Sequence, residues 1–363
     1  MYPRIIFDLA KLEENVSRMA DACHERGLSC GFVTKCICAD KRAADMLQQT
    51  AVDFLADSRI ENLARIGEGK PRYLLRIAMP GEVDEVIRHA DISQQSEIRT
   101  VQLLGKAAKA QGKRHKVVLM VDMGDLREGV FFQNRDDLFA LAAAVLEEEA
   151  LELYGVGVNL SCFGGILPDE TNLGGLVEAA EAIREKFGVP LPFVSGGNTS
   201  SVSMLLEGRI PKGITNLRIG EGILLGNDTS GLKPIPLYHR DCFTLEAELA
   251  EVKIKPSKPI GPVGTNAFGE VVEFPDRGIM KRGILAIGRQ DVFPDDLTPR
   301  DGEVEILGAS SDHLIVNLTD AKRDYKVGDI LSFDVNYGAL LRLCTSEYVK
   351  RTYKMADRSA VKV

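Results

Sequence analysis

The feature that most constrains this chain is an alternation that runs through its first two thirds. Short apolar runs take turns with stretches of helical spacing: "RIIFD", "CGFVTK", "DFLADS", "RYLLRI", "HKVVLMVDMG", "LELYGVGVN", "LPFVSGG" and "NLRIGEGILLG" read as strands. Between them, Leu9, Leu12, Val16 and Met19 recur at helical spacing, with Gly27 as a C-terminal stop. "KRAADMLQQT", "SEIRTVQLLGKAAKAQG", "RDDLFALAAAVLEEE" and "GGLVEAAEAIREKFG" read as further helices, and Ser58 is placed to cap "RIENLARIG". Strands that are apolar throughout, rather than alternating, are those buried on both faces of a parallel sheet. About eight such units close into a (β/α)8 TIM barrel rather than an open sheet. The expected fold class is therefore α/β, with the barrel over residues 1–240. From about Phe243 the helical spacing fades. "CFTLEAELAEVKIKPSK", "GILAIG", "EVEILGASSDHLIVNLT" and "DILSFDVNY" are strand-like and separated by Pro, Gly and Asp turns, so residues 241–363 are expected to form a second, mostly-β domain.

Composition narrows the function classes. A net charge of −8 disfavours a general nucleic-acid or membrane-surface binder. No apolar run approaches the ~20 residues of a membrane span, and Asp8 falls too early for a secretory signal. The seven cysteines are an odd number without paired spacing, which fits reduced thiols in a cytoplasmic protein. The five histidines are scattered and form no H-E-x-x-H, so no zinc site is expected.

In a parallel barrel the active site lies at the C-terminal ends of the strands. The polar residues there are Lys35 after "CGFVT", Asp122 and Arg127 after "KVVLMV", Asn159 after "YGVGV", Ser195 to Gly197 after "LPFV", and Arg218 in "NLRIGEG". Taken one at a time, each is more ordinarily a structural residue; their convergence on one mouth carries the weight. "SGGNTSS" (Ser195 to Ser201) is small and hydroxyl-rich, which lets backbone N–H groups approach an anion. "RIGEG" offers a second such strand end. No G-x-x-x-x-G-K-[ST] is present and no G-x-G-x-x-G follows the first strand, so ATP and dinucleotide folds fit poorly. A phosphate site beside a strand-end lysine points to pyridoxal 5'-phosphate, which a lysine holds as a Schiff base. An arginine such as Arg218 cannot readily give up its proton. Opposite the pyridine nitrogen it would leave that nitrogen unprotonated and the ring a weak electron sink, suited to proton removal and return.

The order of these pieces resembles the fold-type III pyridoxal-phosphate enzymes, the alanine racemase-like group, and within it the ornithine racemase branch, with the lysine-type racemases nearby. The likeness spans nearly the whole chain. It puts the cofactor lysine on Lys35 in "GFVTKC" and, through "VDMGDLREG", the arginine that touches cofactor and substrate carboxylate on Arg127. It puts the phosphate segment on "GGNTSS", hence Gly197, Thr199 and Ser200, and the ring-nitrogen arginine on Arg218, with Gly220 and Glu221 lending backbone. "SSDHLIVNL" resembles a segment that brings Asp312 near the substrate of a partner subunit. The resemblance implies a racemase that interconverts L- and D-amino acids, ornithine above lysine or alanine, and a homodimer with shared sites.

Two departures from the alanine enzymes stand out. Their second acid/base tyrosine aligns with Arg289, whose pKa above ~12 makes it a poor proton shuttle. A tyrosine four residues past the cofactor lysine is Ala39 here, which would leave room for a longer side chain. Candidates for the second proton-transfer group are Asp312, His313, Tyr337 and Cys344, and for a distal ammonium Glu221, Asp291 and Asp312. Competing readings are a D-amino-acid aldolase or dehydratase, a decarboxylase, a non-catalytic pyridoxal-phosphate homeostasis protein, and a cofactor-free barrel with Lys35 in a structural ion pair.

Overall fold

The computed structural model describes residues 1–231 and 233–355. The chain divides into two compact units, Leu12–Arg240 and Met1–Lys11 with Asp241 onward.

After an opening strand β1 (Arg4–Asp8) and helix α1 (Leu9–His24), the first unit follows a strand–helix rhythm. Its elements are β2 (Ser29–Val33), α2 (Lys41–Leu47), β3 (Phe54–Asp57), α3 (Ile60–Ile66), β4 (Arg72–Leu74), α4 (Val83–His89), β5 (Ile92–Gln95), α5 (Ile98–Ala110) and β6 (His115–Asp122). A short β7 (Val130–Phe131) lies beside β6, then come α6 (Arg135–Leu146), β8 (Leu151–Gly157), α7 (Glu170–Phe187), β9 (Phe193–Ser195), α8 (Val202–Glu207), β10 (Asn216–Ile219) and α9 (Glu221–Leu224). A two-residue ladder of β11 (Asn227–Asp228) and β12 (Lys233–Pro234) ends the unit. β2 to β6 and β8 to β10 pair in parallel around a closed ring, with β10 against β2 from Asn216↔Ser29 to Ile219↔Phe32. This is the eight-stranded barrel the alternation implies.

The barrel interior is packed by Phe54, Ala56, Tyr73, Ile92, Val118 and Phe193. The Phe54 and Tyr73 rings meet the Phe193 ring edge-on at 5.7 Å each, contacts worth about 0.5–1.5 kcal/mol apiece beyond burial. Gly155 lets β8 and β9 approach: a Cβ there would lie 1.8 Å from the Phe193 carbonyl oxygen.

The strand count is eight for a reason the apolar runs do not reveal. β5 is "ISQQ", and Ser93, Gln94 and Gln95 are fully buried. Their donors find partners, while Gln94 Oε1 and Gln95 Oε1 stay buried without one. Gln95 Nε2 donates to Ser93 Oγ at 3.0 Å, which lies 2.8 Å from His115 Nε2, and Gln94 Nε2 donates to Glu128 at 3.3 Å. Burial pushes the His115 ring down to about 4, so it is neutral at pH 7.

The second unit takes β1, which the sequence groups with the barrel. Its other strands are β13 (Phe243–Pro256), β14 (Ile279–Leu285), β15 (Leu297–Pro299), β16 (Glu305–Ala309), β17 (Leu314–Asn317), β18 (Ile330–Val335) and β19 (Lys350–Lys354). The antiparallel order is β15-β18-β13-β14-β17-β16, and β1 pairs antiparallel with β13 and parallel with β19. Phe7 of β1 lies edge-on to Phe243 at 4.9 Å and meets Tyr353 at 5.5 Å. A five-residue apolar run reads alike in either sheet, so "RIIFD" carries no sign of its destination. One helix, α10 (Tyr337–Thr345), is capped by Asn336, whose side chain accepts from the Ala339 amide at 2.9 Å. Among the described residues no helix is long and apolar enough to cross a membrane, and all seven cysteines are free thiols.

Candidate active site

Lys35 owes its position to the way β2 stops. Thr34 leaves the strand in a helical conformation (φ −84°, ψ −6°), and Lys35 opens a single 3-10 turn, Lys35–Ile37. Cys38 and Ala39 close that turn with φ of 50° and 46°, left-handed conformations that side chains adopt at a cost of about 1–2 kcal/mol each. The turn is fixed from beneath. Thr34 Oγ1 donates to Asp57 at 2.6 Å, and the fully buried Asp57 also accepts from Asn62 Nδ2 at 3.0 Å and the Arg59 amide at 2.9 Å. Burial pushes the Asp57 carboxyl up, while these hydrogen bonds and the Lys35 charge oppose the rise. Asp57, rather than Ser58, thus prepares the start of α3, whose N-cap is Arg59.

Two Gly-rich strand ends form a cradle next to this turn. After β9, Gly197 takes φ +103°, open to glycine alone without strain, and a Cβ there would sit 3.0 Å from Ser201 Oγ. Asn198 Oδ1 accepts from the Ser200 amide at 2.8 Å, and Ser201 Oγ donates to the Gly196 carbonyl at 2.7 Å. Thr199 Oγ1 joins the two loops by accepting from the Gly220 and Gly222 amides at 3.4 and 3.2 Å. The remaining hydroxyl is different. Ser200 Oγ is buried and has no hydrogen-bond partner, a condition that costs about 1–3 kcal/mol unless a ligand supplies the acceptor.

Arg218 of β10 is 2% exposed. Its Nη1 donates to Ser195 Oγ at 2.5 Å, and its Nη2 donates to the Val158 carbonyl at 2.7 Å and Asn159 Oδ1 at 3.4 Å. Ser195 Oγ in turn donates a hydrogen bond to Asn216 Oδ1 at 2.6 Å. All these acceptors are neutral, so a permanent buried cation stands at the mouth without a carboxylate on it. Gly157 leaves the space, since a Cβ there would meet Arg218 Nη1 at 3.3 Å. The guanidinium lies 5.9 Å from the Tyr73 ring centroid. Burial pushes the Tyr73 phenol up to about 12, so it stays neutral.

Arg127 and Asn159 meet at Glu128. Its Oε1 accepts from Arg127 Nη2 at 2.8 Å, Asn159 Nδ2 at 2.7 Å and Gln94 Nε2 at 3.3 Å. Asn159 Oδ1 in turn accepts from Asn198 Nδ2 at 3.1 Å. Asp122 folds the loop that carries Arg127, accepting from the Gly124 and Leu126 amides at 2.9 and 3.1 Å. Asp125 ties that loop to the next one through the Ser161, Phe163 and Ile166 amides. Glu221, at the head of α9, is pushed up to about 6 by burial, against the pull of the Lys35 charge.

The barrel thus brings together Lys35, Arg127, Asn159, Ser195, Gly197, Thr199, Ser200, Arg218, Gly220 and Glu221. Asp57, Tyr73, Gln94 and Glu128 belong to the same mouth and are not among the residues singled out from the sequence. Two of them carry a visible signal: Asp57 follows the apolar residues of the strand-like run "DFLADS", and Glu128 adjoins Arg127. Asp312 and His313 lie in the second unit, exposed on the turn before β17, where Asp312 Oδ1 accepts from Gln290 Nε2 at 2.9 Å. Tyr337 begins α10 and Cys344 is buried in it. Arg289 donates to both Glu270 oxygens at 3.1 and 3.0 Å and stacks on Phe268 at 4.4 Å. These contacts give it an anchoring role within its own unit.

A strand-end lysine, a glycine cradle with an unpartnered hydroxyl and a buried arginine stand together at one barrel mouth, where the active sites of such barrels lie. Residues 7–227 match the family described as alanine racemase, N-terminal domain. The chain is 45% identical over 352 residues to ornithine racemase of Acetoanaerobium sticklandii, covering 97% of this chain and 99% of that protein. It is 37% identical over 357 residues to lysine racemase of Thermotoga maritima, covering 98% and 99%. Among solved structures, alanine racemase from Streptomyces lavendulae superposes with a TM-score of 0.74 at 18% identity, over 98% of each chain. Alanine racemase from Bartonella henselae, with covalently bound pyridoxal phosphate, gives 0.73 at 17% identity, over 98% of this chain and all of that one. The chain belongs to the alanine racemase family, and it is an amino-acid racemase.

Proposed function

We propose that this protein is a pyridoxal-phosphate-dependent racemase whose substrate is ornithine, working in the cytoplasm as a homodimer with shared sites. The carrying observation is the unpaired, buried Ser200 hydroxyl in a glycine cradle beside the Lys35 turn. Such a hydroxyl fits a phosphate oxygen, and the neighbouring amine fits an aldehyde. The 45% identity to ornithine racemase supports the choice of substrate.

Lys35 would hold the cofactor covalently. Gly197, Thr199, Ser200, Gly220 and the Glu221 backbone would take its phosphate, with Ser195, Asn159 and Arg218 around its ring. When bound, the cofactor supplies stabilisation of negative charge at the substrate Cα. The protein does the rest. Arg127 binds the substrate carboxylate, already oriented by Glu128. Arg218 stays charged and donates hydrogen bonds but no proton. The Lys35 amine takes or returns the Cα proton on one face. The other face is served by a second subunit, through Asp312 and His313 on the exposed turn of its β unit. Each proton-transfer group contributes about 10²–10⁴-fold.

The test is chiral chromatography of L-ornithine, L-lysine and L-alanine incubated with the holoenzyme, alongside Lys35→Ala. The wild type is expected to develop a visible absorbance band and to racemise ornithine fastest. Lys35→Ala is expected to lose both. Turnover retained in Lys35→Ala would refute the assignment, and faster turnover of lysine would move the substrate to that branch.

A further inference from the structure

We infer that Glu128 is a positioning residue that sets the hydrogen-bond sense of the whole barrel mouth. The inference rests on the functional reading above. The Asn159 amide has nearly the same outline either way round; only the donor or acceptor character of its ends differs. Its Nδ2 donates to Glu128 Oε1 at 2.7 Å, while its Oδ1 accepts from Asn198 Nδ2 at 3.1 Å and Arg218 Nη2 at 3.4 Å. A carboxylate can only accept, so Glu128 compels Asn159 to face it with nitrogen and to give its oxygen to the buried arginine. The same carboxylate takes Gln94 Nε2 and Arg127 Nη2 on Oε1 and pairs through Oε2 with Arg127 Nε. Its side chain is only 16% exposed. One anion therefore aligns the arms at the mouth: Asn159 toward Arg218, and Arg127 toward the substrate carboxylate. Gln94 Oε1 is buried and unpartnered, so Gln94 can turn end for end without losing a bond there.

This logic predicts a swap. In Glu128→Gln the introduced amide must point its nitrogen at one set of donors. With its nitrogen in place of Oε1 it forces Asn159 to turn and oppose Arg218 and Asn198 donor to donor, and it meets Arg127 Nη2 as well; with its nitrogen in place of Oε2 it releases Arg127 Nε. In Asn159→Asp two carboxylates confront each other. In the double variant the introduced glutamine donates to the introduced aspartate, whose other oxygen still accepts from Arg218 and Asn198. Gln94 then turns to offer its spare oxygen, and Arg127 keeps its Nε bond to the glutamine oxygen while its Nη2 gives up one.

The experiment measures kcat/KM for ornithine in the holoenzymes and pyridoxal-phosphate affinity of the apo-proteins by absorbance titration. Each single variant is expected to lose about 10- to 100-fold in kcat/KM and to bind the cofactor more weakly. The double is expected to return to within about fivefold of wild type in both. Singles within about twofold of wild type, or a double no better than the worse single, would overturn the inference. If Glu128→Gln fails to fold, folding of the double is itself the expected rescue, and its failure overturns the inference equally. Wild-type protein that takes up no cofactor would overturn the functional reading and this inference with it. Cofactor uptake by the wild type beside unaffected singles overturns this inference alone.

Discussion

Replacing Ser200 by alanine should act in opposite directions on the empty and the loaded protein. In most buried sites Ser→Ala destabilises, because a hydrogen bond is lost. Here the hydroxyl is 2% exposed and makes none. Removing it takes away a desolvated dipole and leaves every amide bond of the turn in place, including Ser200 N to Asn198 Oδ1 at 2.8 Å. The apo-protein should therefore be as stable as wild type, or more stable by up to ~1 kcal/mol. Once a phosphate oxygen accepts from it, the same hydroxyl contributes about 1.5–3 kcal/mol, so the dissociation constant for pyridoxal phosphate should rise about 10- to 150-fold. Ser201→Ala is the control. Its hydroxyl already donates to the Gly196 carbonyl at 2.7 Å, so that change should lower stability without a selective loss of cofactor affinity. The assays are urea denaturation of the apo-proteins and absorbance titration with pyridoxal phosphate. A destabilised Ser200→Ala apo-protein whose cofactor affinity stays within about twofold of wild type would refute the reasoning.

Glu221→Gln should change how stability depends on pH. The Glu221 carboxyl rises from 4.5 to about 6 on folding, through burial opposed by Lys35. A raised folded pKa means that its contribution is fully present below the unfolded value and is lost as pH climbs through about 6. Discounted for partial exposure, the loss is about 1 kcal/mol. The apo wild type should lose that much relative to Glu221→Gln between pH 4 and 7 in denaturant melts, and parallel pH profiles would contradict the assignment. Gly155→Ala should destabilise the barrel by about 3 kcal/mol or more, because its Cβ would fall 1.8 Å from the Phe193 carbonyl oxygen, a backbone atom with no rotamer to yield. A thermal midpoint within a degree or two of wild type would show that β8 and β9 separate without penalty.

The barrel was legible because parallel strands buried on both faces must be apolar, and seven of its eight announce themselves that way. The eighth, β5, does not. "ISQQ" is polar by composition and buried by circumstance, its Ser93 hydroxyl bonded to His115 and its Gln94 amide nitrogen to Glu128. Periodicity reports what a strand does with hydrophobic surface, so it is silent where a strand buries amides against partners far along the chain. The opposite error occurs at β1. Its apolar run is genuine, but its partners are β13 and β19, more than two hundred residues away in sequence. Nothing local distinguishes a strand that opens a barrel from one that joins a later sheet. The two misreadings offset, leaving the count of eight intact.

The site divides along the same line. Lys35, Ser200 and Arg218 sit at the ends of apolar strands or in a small-residue loop, so their chemistry shows against a plain background. Glu128, Tyr73 and Asp57 gain their roles only from what the closed barrel sets against them: three donor side chains, a buried guanidinium, a strand-end threonine. A carboxylate next to a loop glycine, Gly129, reads as solvated surface until Gln94 arrives from β5 and Asn159 from just past β8. Arg289 makes the point in reverse. The resemblance sets it at the place of a proton-transfer tyrosine, yet its guanidinium bonds Glu270 and lies over Phe268. In the function proposed above, with a proton-transfer group on each face of the Cα, an Arg289 held in this way leaves the second role to another residue.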